Sequence, residues 1–406
     1  MVAFGSGMSA AATAVRAAGE AARAAMKTLG KAPPKLAIVF ASVSYPDVED
    51  VARAVRSVVG DVHIVGGTAG ACVFSSEGTA PRGVSVVVLG GDDIEAVSRT
   101  ASCRSASLVE TVPAAEEIAR AADRAASQGL PHFACLGFAP GIFVDGEAFV
   151  AAVRKGAGAH AQLAGALTGD DFTMDRPKVL FGDSLRDDIT VVTGIFTKNP
   201  VGIAARHGWR AVGPVRTVTG TDGIHLVELD HRPALEVWLE DACNAGATPP
   251  PDRKDLALYL ANHYEIGIAD ASQSKIRIGE EDPRELVARA PFGIRSDGAL
   301  KMSASIAEGS YVRVLHASRS DLLRASSEAA AAAVARVGQR VSGALVLACS
   351  GRLACLGDAF PDEPTEIQKR IEAPIGGACV FGEIARNVRD ADAFFNTTAV
   401  VVAFGA

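Results

Sequence analysis

The sequence has few aromatic residues, no excess of basic charge and no long apolar run. Aromatic residues make up 5% of the 406-residue chain, and the formal net charge is −7. Nucleic acids and anionic lipids attract proteins through surplus Lys and Arg, so this charge balance argues against both as partners. The longest uncharged stretch of note, residues 132–144, contains Gly and Pro and is far shorter than the roughly 20 apolar residues of a membrane-spanning helix. We therefore expect no membrane insertion.

The sequence also lacks the spaced motifs that mark metal, covalent haem and nucleotide sites. Its seven Cys are scattered without a C-x-x-C pair, and no H-x-x-x-H motif occurs. The phosphate-binding motifs G-x-G-x-x-G and G-x-x-x-x-G-K-[ST] are absent as well. We predict no metal site, no disulfide framework and a reducing, cytoplasmic location. Near the N-terminus, Arg16, Glu20 and Arg23 indicate the polar face of an Ala-rich helix rather than an export signal.

What the chain does contain is one pattern that occurs three times: an apolar strand, a spacer and then a Gly-containing turn. The strand and turn occupy residues 36–42 and 64–70, then 132–138 and 163–171, then 344–352 and 374–383. A Val-rich run closes each copy, at residues 83–91, 187–196 and 397–405. The pattern predicts a mixed α/β (α+β) fold built from related β–α–β–turn–β units, with mixed sheets flanked by helices.

The length of the chain exceeds what one hydrophobic core usually supports, so we expect two domains. Residues 207–229 predict two strands around a Thr-Asp-Gly turn, and a helical pattern restarts near Pro233. We place the boundary there, which gives domains of residues 1–230 and 231–406.

Several phrases, in a fixed order, resemble the FIST domain family. Three segments resemble parts of the N-terminal FIST domain: VGGTAGACVF, GDDF and the segment from Ala205 to Trp238. Three others resemble parts of the C-terminal FIST domain: CSGRLACLG, APIGGACVFGEIAR and FFNTTAVVVAF. The likeness covers the chain from about residue 35 to its end. One departure is His231, where the family's LDGxPA phrase has Gly.

The resemblance implies an intracellular signal-transduction sensor that binds a small molecule, such as an amino acid or similar small acid, and signals through a separate partner. A second interpretation comes from FIST-like proteins regarded as haem-binding nitric-oxide sensors that act on histidine kinases. The resemblance brings no established catalytic reaction. We therefore expect a protein that is not an enzyme, although an enzyme of unrecognised chemistry stays an alternative.

The third unit contains the strongest candidate binding residues. The permanent charge of Arg352 suits a carboxylate, Glu383 suits an ammonium group, and Asn396 offers both a donor and an acceptor. Arg352 and Glu383 could equally pair with each other. The Gly turns could bring backbone N–H groups close to a ligand or serve close packing. The predicted ligand-binding residues are Gly66, Gly67, Thr68, Arg352, Gly376, Gly377, Glu383 and Asn396.

Two further residue types leave alternatives open. His207, in His207-Gly208-Trp209, is the first candidate for a haem ligand, although a lone His is more often structural. Cys72 and Cys379 occupy similar places just beyond Gly turns. They could be redox-sensitive thiols or small buried apolar residues.

Overall fold

The computed structural model describes residues 1–269, 285–386 and 392–406. The described residues form a mixed α/β fold with mixed sheets flanked by helices, which confirms the predicted fold class. The α-helices are α1 (Ala14–Leu29), α2 (Val51–Val59), α3 (Thr111–Ser127), α4 (Gly146–Ala157), α5 (Ala234–Asn244), α6 (Arg253–His263), α7 (Arg319–Val337), α8 (Ser350–Leu356) and α9 (Asp362–Ile371).

The strands fall into four sheets and are numbered along the chain. They are β1 (Ala3–Ser9), β2 (Pro34–Ala41), β3 (His63–Thr68), β4 (Val73–Ser75), β5 (Gly78–Ala80), β6 (Val84–Gly90), β7 (Ile94–Ser102), β8 (His132–Pro140), β9 (Gln162–Thr168), β10 (Val179–Phe181), β11 (Ser184–Arg186), β12 (Ile189–Thr197), β13 (Val201–Arg206), β14 (Arg210–Ala211), β15 (Arg216–Asp222), β16 (His225–Leu229), β17 (Arg232–Pro233), β18 (Tyr264–Ile268), β19 (Val287–Arg289), β20 (Pro291–Ile294), β21 (Leu300–Met302), β22 (Tyr311–His316), β23 (Val341–Cys349), β24 (Ile375–Val380), β25 (Gly382–Arg386), β26 (Asp392–Phe395) and β27 (Ala399–Gly405).

Three of the sheets share one strand order. Sheet 1 is β1-β6-β2-β3-β10-β11, sheet 2 is β7-β12-β8-β9-β25-β26, and sheet 3 is β13-β27-β23-β24-β4-β5. In each sheet the third and fourth strands are parallel (β2 with β3, β8 with β9, β23 with β24). The other neighbours are antiparallel. The parallel pairs are joined through helices, as a parallel connection requires.

Each of these sheets ends in a hairpin that comes from another part of the chain. We call β1–β6 the first unit, β7–β12 the second, and β13 with β23–β27 the third. The β4–β5 hairpin of the first unit completes sheet 3, β10–β11 of the second completes sheet 1, and β25–β26 of the third completes sheet 2. The exchange is cyclic: each unit contributes one hairpin to the sheet of another unit, and its own sheet is completed by a hairpin of the remaining unit.

A ring of backbone hydrogen bonds joins the ends of the three inner parallel strands. The N–H of Gly70 donates to the Cys379 carbonyl oxygen at 2.6 Å, that of Gly169 to Thr68 at 3.1 Å, and that of Phe381 to Leu167 at 2.9 Å. Glycine is required at position 169 because a Cβ atom there would lie 2.6 Å from the Cα of Gly70. The ring therefore fixes how the three units meet.

Sheet 4 is formed by chain that lies between β13 and α7. Its order is β19-β18-β22-β15-β16-β21-β20, with β14 beside β22 and β17 beside β16. The buried Trp238 of α5 packs in its core with Leu260, Ile266 and Val314. The predicted hairpin around the Thr-Asp-Gly turn is confirmed as β15 and β16.

The turn that contains His231 has a left-handed backbone. Asp230 (φ 49°) and His231 (φ 63°) form the two-residue connection between β16 and β17. Such hairpin turns favour Gly or Asn at these positions. The conformation explains why a Gly is expected at position 231 and shows that His adopts it here.

Candidate functional site

Arg352 is fully buried at the start of α8 and its guanidinium group is saturated by the protein. Nε donates to both carboxylate oxygens of Glu363, at 3.1 and 2.9 Å. Nη1 donates to the carbonyl oxygens of His207 and Thr397, and Nη2 to that of Leu322 and to Ser326 Oγ. Every guanidinium nitrogen therefore already has an acceptor within the chain.

The ion pair of Arg352 is with Glu363 rather than Glu383. Nη2 of Arg352 lies 2.8 Å from Oε2 of Glu363, and both side chains are at most 1% exposed. Burial by itself lowers the pKa of Arg352, but the charge and hydrogen bonds of Glu363 outweigh it, so the pKa is raised. The alternative that Arg352 pairs with Glu383 is therefore wrong, because the carboxylate that pairs with Arg352 is that of Glu363. Capture of a carboxylate by Arg352 stays a prediction, and it would require some of these bonds to break.

Glu383 is fully buried on β25, where it contacts the Cys349 side chain and one backbone N–H. Its Oε2 accepts from the N–H of Thr398 at 3.3 Å, and no partner for Oε1 occurs within the described ranges. Burial raises the pKa of this carboxyl well above its usual range, and the opposing effects of Thr398, the Cys349 side chain and the charge of Arg352 offset this only in part. The pKa of the Cys349 thiol is also raised, mainly by burial and to a smaller extent by the electrostatic effect of Glu383.

A second buried carboxyl group, Glu265 on β18, was not singled out by the sequence. Its Oε2 accepts from Oγ1 of Thr397 at 2.6 Å, and its Oε1 has no partner in the part of the chain that the structure describes. Burial raises the pKa of Glu265 to about 8, against a smaller opposing effect of Thr397 and Arg352. The carboxyl group is therefore largely protonated at neutral pH.

The segment Asn396–Thr398, between β26 and β27, connects these groups. Thr397 accepts from Arg352 through its carbonyl and donates to Glu265 through its hydroxyl, while Thr398 N–H donates to Glu383. The N–H of Asn396 donates to the Ala288 carbonyl at 3.3 Å, and its Oδ1 accepts from Ser303 Oγ at 2.5 Å. The segment thus joins sheets 2, 3 and 4. We call Glu265, Cys349, Arg352, Glu363, Glu383 and Asn396–Thr398 the Thr397 cluster.

Thr397 itself is strained. Its φ of 46° lies in the left-handed region, where a β-branched residue is an outlier. Such conformations cost about 1–3 kcal/mol and often occur at functional sites. The surrounding hydrogen bonds hold the residue in this state.

The predicted glycines and Thr68 are buried, and the space beside the glycines is filled by protein. A Cβ atom would meet the carbonyl of Val39 at Gly66, the carbonyl of Lys178 at Gly67, the side chain of Val87 at Gly376 and the carbonyl of Val346 at Gly377. Oγ1 of Thr68 donates to the Gly169 carbonyl at 2.6 Å. These contacts support the close-packing interpretation. Ligand contact at these positions stays a prediction.

His207 does not fit a haem ligand in this arrangement. The residue is 4% exposed, and its Nδ1 accepts the backbone N–H of Trp209 at 2.9 Å. A neutral imidazole that accepts at Nδ1 carries its proton on Nε2, the nitrogen that iron would need. Metal-binding His residues instead donate through the nitrogen that does not bind the metal. The orientation of His207 therefore argues against haem ligation.

Two surface clefts of about 660 Å³ each lie away from the Thr397 cluster. The first lies beside Lys35, Arg56, His63 and Phe181. The second lies between the β4–β5 hairpin and α9, where Ser76, Glu77, Thr365 and Lys369 line it. Neither contains a predicted site residue, so cleft size gives no support to the predicted site.

Sequence reasoning found Arg352, Glu383 and Asn396 but missed their neighbours. Two features of the sequence could have pointed to these neighbours. They are the charged Glu265 within the apolar strand YEIGI and the position of Cys349 directly before Ser350-Gly351-Arg352. Within residues 1–269, 285–386 and 392–406, no group of three or more His, Cys, Asp or Glu is arranged to hold a metal ion. No helix in those ranges has both the length and the apolar character needed to cross a bilayer.

Comparison with known families agrees with the resemblance seen in the sequence. The family model of the FIST N domain matches residues 35–232, and that of the FIST C domain matches residues 234–386. No curated protein matches the chain. FIST domains are associated with sensory signal transduction and the binding of small ligands. With both of its domains matched along most of the sequence, this chain belongs to the FIST family.

Proposed function

We propose that this protein is a sensor that binds a small amino compound, amino acids included, at the Thr397 cluster and signals through a separate protein. The observation that carries the proposal is the pair of buried carboxyl groups of Glu265 and Glu383. Each has one oxygen without a hydrogen-bond partner among the described residues. Buried polar atoms are normally satisfied, so exceptions of this kind ask for an explanation.

The chemistry of the cluster favours a ligand that carries an ammonium group. The two carboxyl oxygens without partners among the described residues provide acceptors, whereas the Asn396 Oδ1 acceptor and the donors of Arg352 are already used within the protein. Burial disfavours both carboxylates, and the charge of Arg352 offsets this only in part. An ammonium group would restore the charged form, because an opposite charge close by lowers a carboxyl pKa. Uptake of the ligand should therefore release a proton.

The position of the cluster suits a signalling role. Its central segment contacts Glu265 and Ala288 of sheet 4, Arg352 of α8 and Glu383 of sheet 2. A ligand that draws the two carboxyl groups together would change how sheet 4 sits on the other sheets. A ligand shifts such an equilibrium by the difference in its affinity for the two arrangements. We propose that a partner such as a histidine kinase reads this change.

Binding rather than turnover is the proposed activity. The Cys349 thiol lies beside Glu383, and its raised pKa disfavours the thiolate that nucleophilic catalysis needs. The same buried and neutral surroundings are compatible with reversible ligand binding.

The test is a thermal-shift screen of amino acids and small primary amines against the full chain at pH 6 and pH 8. We expect at least one compound to raise the melting temperature by a few degrees at saturation. The affinity should be higher at pH 8 because ammonium binding needs a deprotonated carboxyl group. The isosteric change Glu383→Gln removes the negative charge and should abolish the shift.

Glu116→Gln is the matched control, because Glu116 is exposed on α3. It should keep the full ligand shift. An equal shift in Glu383→Gln and the wild type would place the ligand elsewhere, and binding that weakens toward pH 8 would contradict the ammonium mechanism.

A further inference from the structure

Two buried thiols meet where the first unit joins the third. Cys72 directly precedes β4, the first strand of the β4–β5 hairpin that completes sheet 3, and Cys379 lies on β24. Cys72 is 2% exposed and Cys379 is fully buried. Both are free thiols.

The backbone places the two residues opposite each other. Val73 of β4 is paired with Ala378 of the antiparallel β24, so Cys72 and Cys379 follow on the next rung. The N–H of Cys379 donates to the Cys72 carbonyl at 2.9 Å. Residues directly opposite each other in antiparallel strands point to the same face, with Cβ atoms about 4.5–5.5 Å apart. The Cys72 thiol donates to the Val73 carbonyl oxygen at 3.5 Å, and it lies close enough to Cys379 to raise the pKa of that thiol.

We propose that Cys72 and Cys379 form a reversible disulfide by exchange with a low-molecular-weight disulfide such as oxidised glutathione. One thiolate attacks the small disulfide and releases one small thiol. The second thiolate then attacks the mixed disulfide and releases the other small thiol. The two protein thiols are thereby oxidised to one disulfide, and their two protons and two electrons pass to the two small thiols.

The hairpin provides the route of access. Strands β4 and β5 have three residues each and lie at the edge of sheet 3. Gly78 at their turn is exposed, and the second surface cleft opens beside them. The small disulfide would reach the buried thiols when this short edge element opens locally, which also exposes Val73 and Phe74. Because burial and the neighbouring Cys72 thiol raise the pKa of Cys379 well above its usual range, Cys72 on the opening hairpin is the first attacker.

A disulfide here would covalently fix a hairpin of the FIST N domain to a strand of the FIST C domain. The linker to this hairpin is already constrained, since Ala71 has a φ of 69° and the N–H of Gly70 belongs to the backbone ring. Oxidation would therefore resist separation of the first and third units. This inference is independent of the ligand proposed above.

The test exposes the reduced, folded full chain to glutathione buffers of increasing oxidised fraction. Free thiols are then trapped by alkylation, and the peptides are analysed by mass spectrometry. We expect a linked pair of peptides that contain Cys72 and Cys379, reversed by a dithiol reductant. The oxidised protein should melt several degrees higher because the cross-link restricts the unfolded chain. Cys72→Ser and Cys379→Ser should each abolish the linkage and the higher melting temperature.

Cys135→Ser is the matched control, because Cys135 is equally buried but lies on β8; this variant should form the linkage as the wild type does. The proposal is overturned if Cys72 and Cys379 both stay reduced while the exposed Cys243 forms a mixed disulfide. A linkage that forms only after the protein has been unfolded, or that joins other cysteines, overturns it as well.

Discussion

At the scale of single residues, the Thr397 cluster shows how burial decides what a charged side chain does. Arg352 and Glu363 are buried together and satisfy each other and the nearby carbonyls. Glu265 and Glu383 are buried without such a cation pair, and their pKa values rise. Glutamate therefore forms a structural ion pair at position 363, whereas at positions 265 and 383 burial disfavours its charged form.

The raised pKa of Glu265 predicts how stability depends on pH. With its pKa raised to about 8 in the folded state, Glu265 binds more protons when folded than when unfolded over the range from about pH 4.5 to 8. The free energy of unfolding must then fall as pH rises through this range. We expect the wild type to lose more stability than Glu265→Gln between pH 5 and pH 8, measured by urea unfolding at each pH.

Burial lowers the pKa values of His63 and His263, so these residues make stability rise with pH in the wild type and in Glu265→Gln alike. The difference between the two stability curves therefore isolates the contribution of Glu265. Parallel stability curves for the wild type and the variant would show that Glu265 is ionised in the folded state. That outcome would leave Glu383 as the source of the proton release proposed for ligand binding.

The sequence could indicate Arg352 but not its partners. An Arg directly after a strand end is visible in one segment, whereas its acceptors come from residues 207, 322, 326, 363 and 397. Glu265 meets Thr397 across 132 positions of sequence. Such contacts depend on tertiary packing, which periodicity does not report.

At the scale of elements, local patterns predicted the segments well. The Ala-rich helix expected around Arg16, Glu20 and Arg23 corresponds to α1 (Ala14–Leu29), and the helical pattern expected near Pro233 corresponds to α5 (Ala234–Asn244). The helix α7 begins with a capping box between Ser318 and Asp321, a signal that lies within four residues. The exchange of hairpins was not predicted, because a strand such as β4 carries no local mark of which sheet it joins.

The Gly turns give a prediction at this scale. A Cβ atom at Gly377 would lie 1.8 Å from the carbonyl oxygen of Val346 on the parallel neighbour β23. Gly377→Ala must therefore push apart two inner strands of sheet 3. We expect a loss of about 1–3 kcal/mol or more in the free energy of unfolding, measured by denaturant titration.

Gly293→Ala on β20 is the matched control, since the nearest atom to its Cβ, in Lys301, lies at an ordinary 3.4 Å. This variant should stay within about 1 kcal/mol of the wild type. Equal stability of Gly377→Ala and Gly293→Ala would show that the strands near Gly377 can adjust, and would leave room there for a ligand.

At the scale of the whole molecule, the FIST N and FIST C regions depend on each other for complete sheets. Sheet 3 takes β4, β5 and β13 from the first 232 residues and β23, β24 and β27 from the remainder. Sheet 2 receives β25 and β26 from the C-terminal part. The domain boundary predicted at residues 230/231 stays a prediction, and the exchange of strands makes it one that separate expression of the two parts can test.

We expect residues 1–232 expressed alone to aggregate and to regain solubility when co-expressed with residues 233–406. Alone, this fragment would leave the β4–β5 hairpin and β13 without their sheet and would expose the edge of β9, which pairs with β25 in the full chain. Unpaired edges of buried strands favour association with other chains. Size-exclusion chromatography of the two samples gives the measurement. A monomeric fragment with native-like circular dichroism would show that the N-terminal part folds without the exchange, and the hairpins would then add stability to sheets that are already formed.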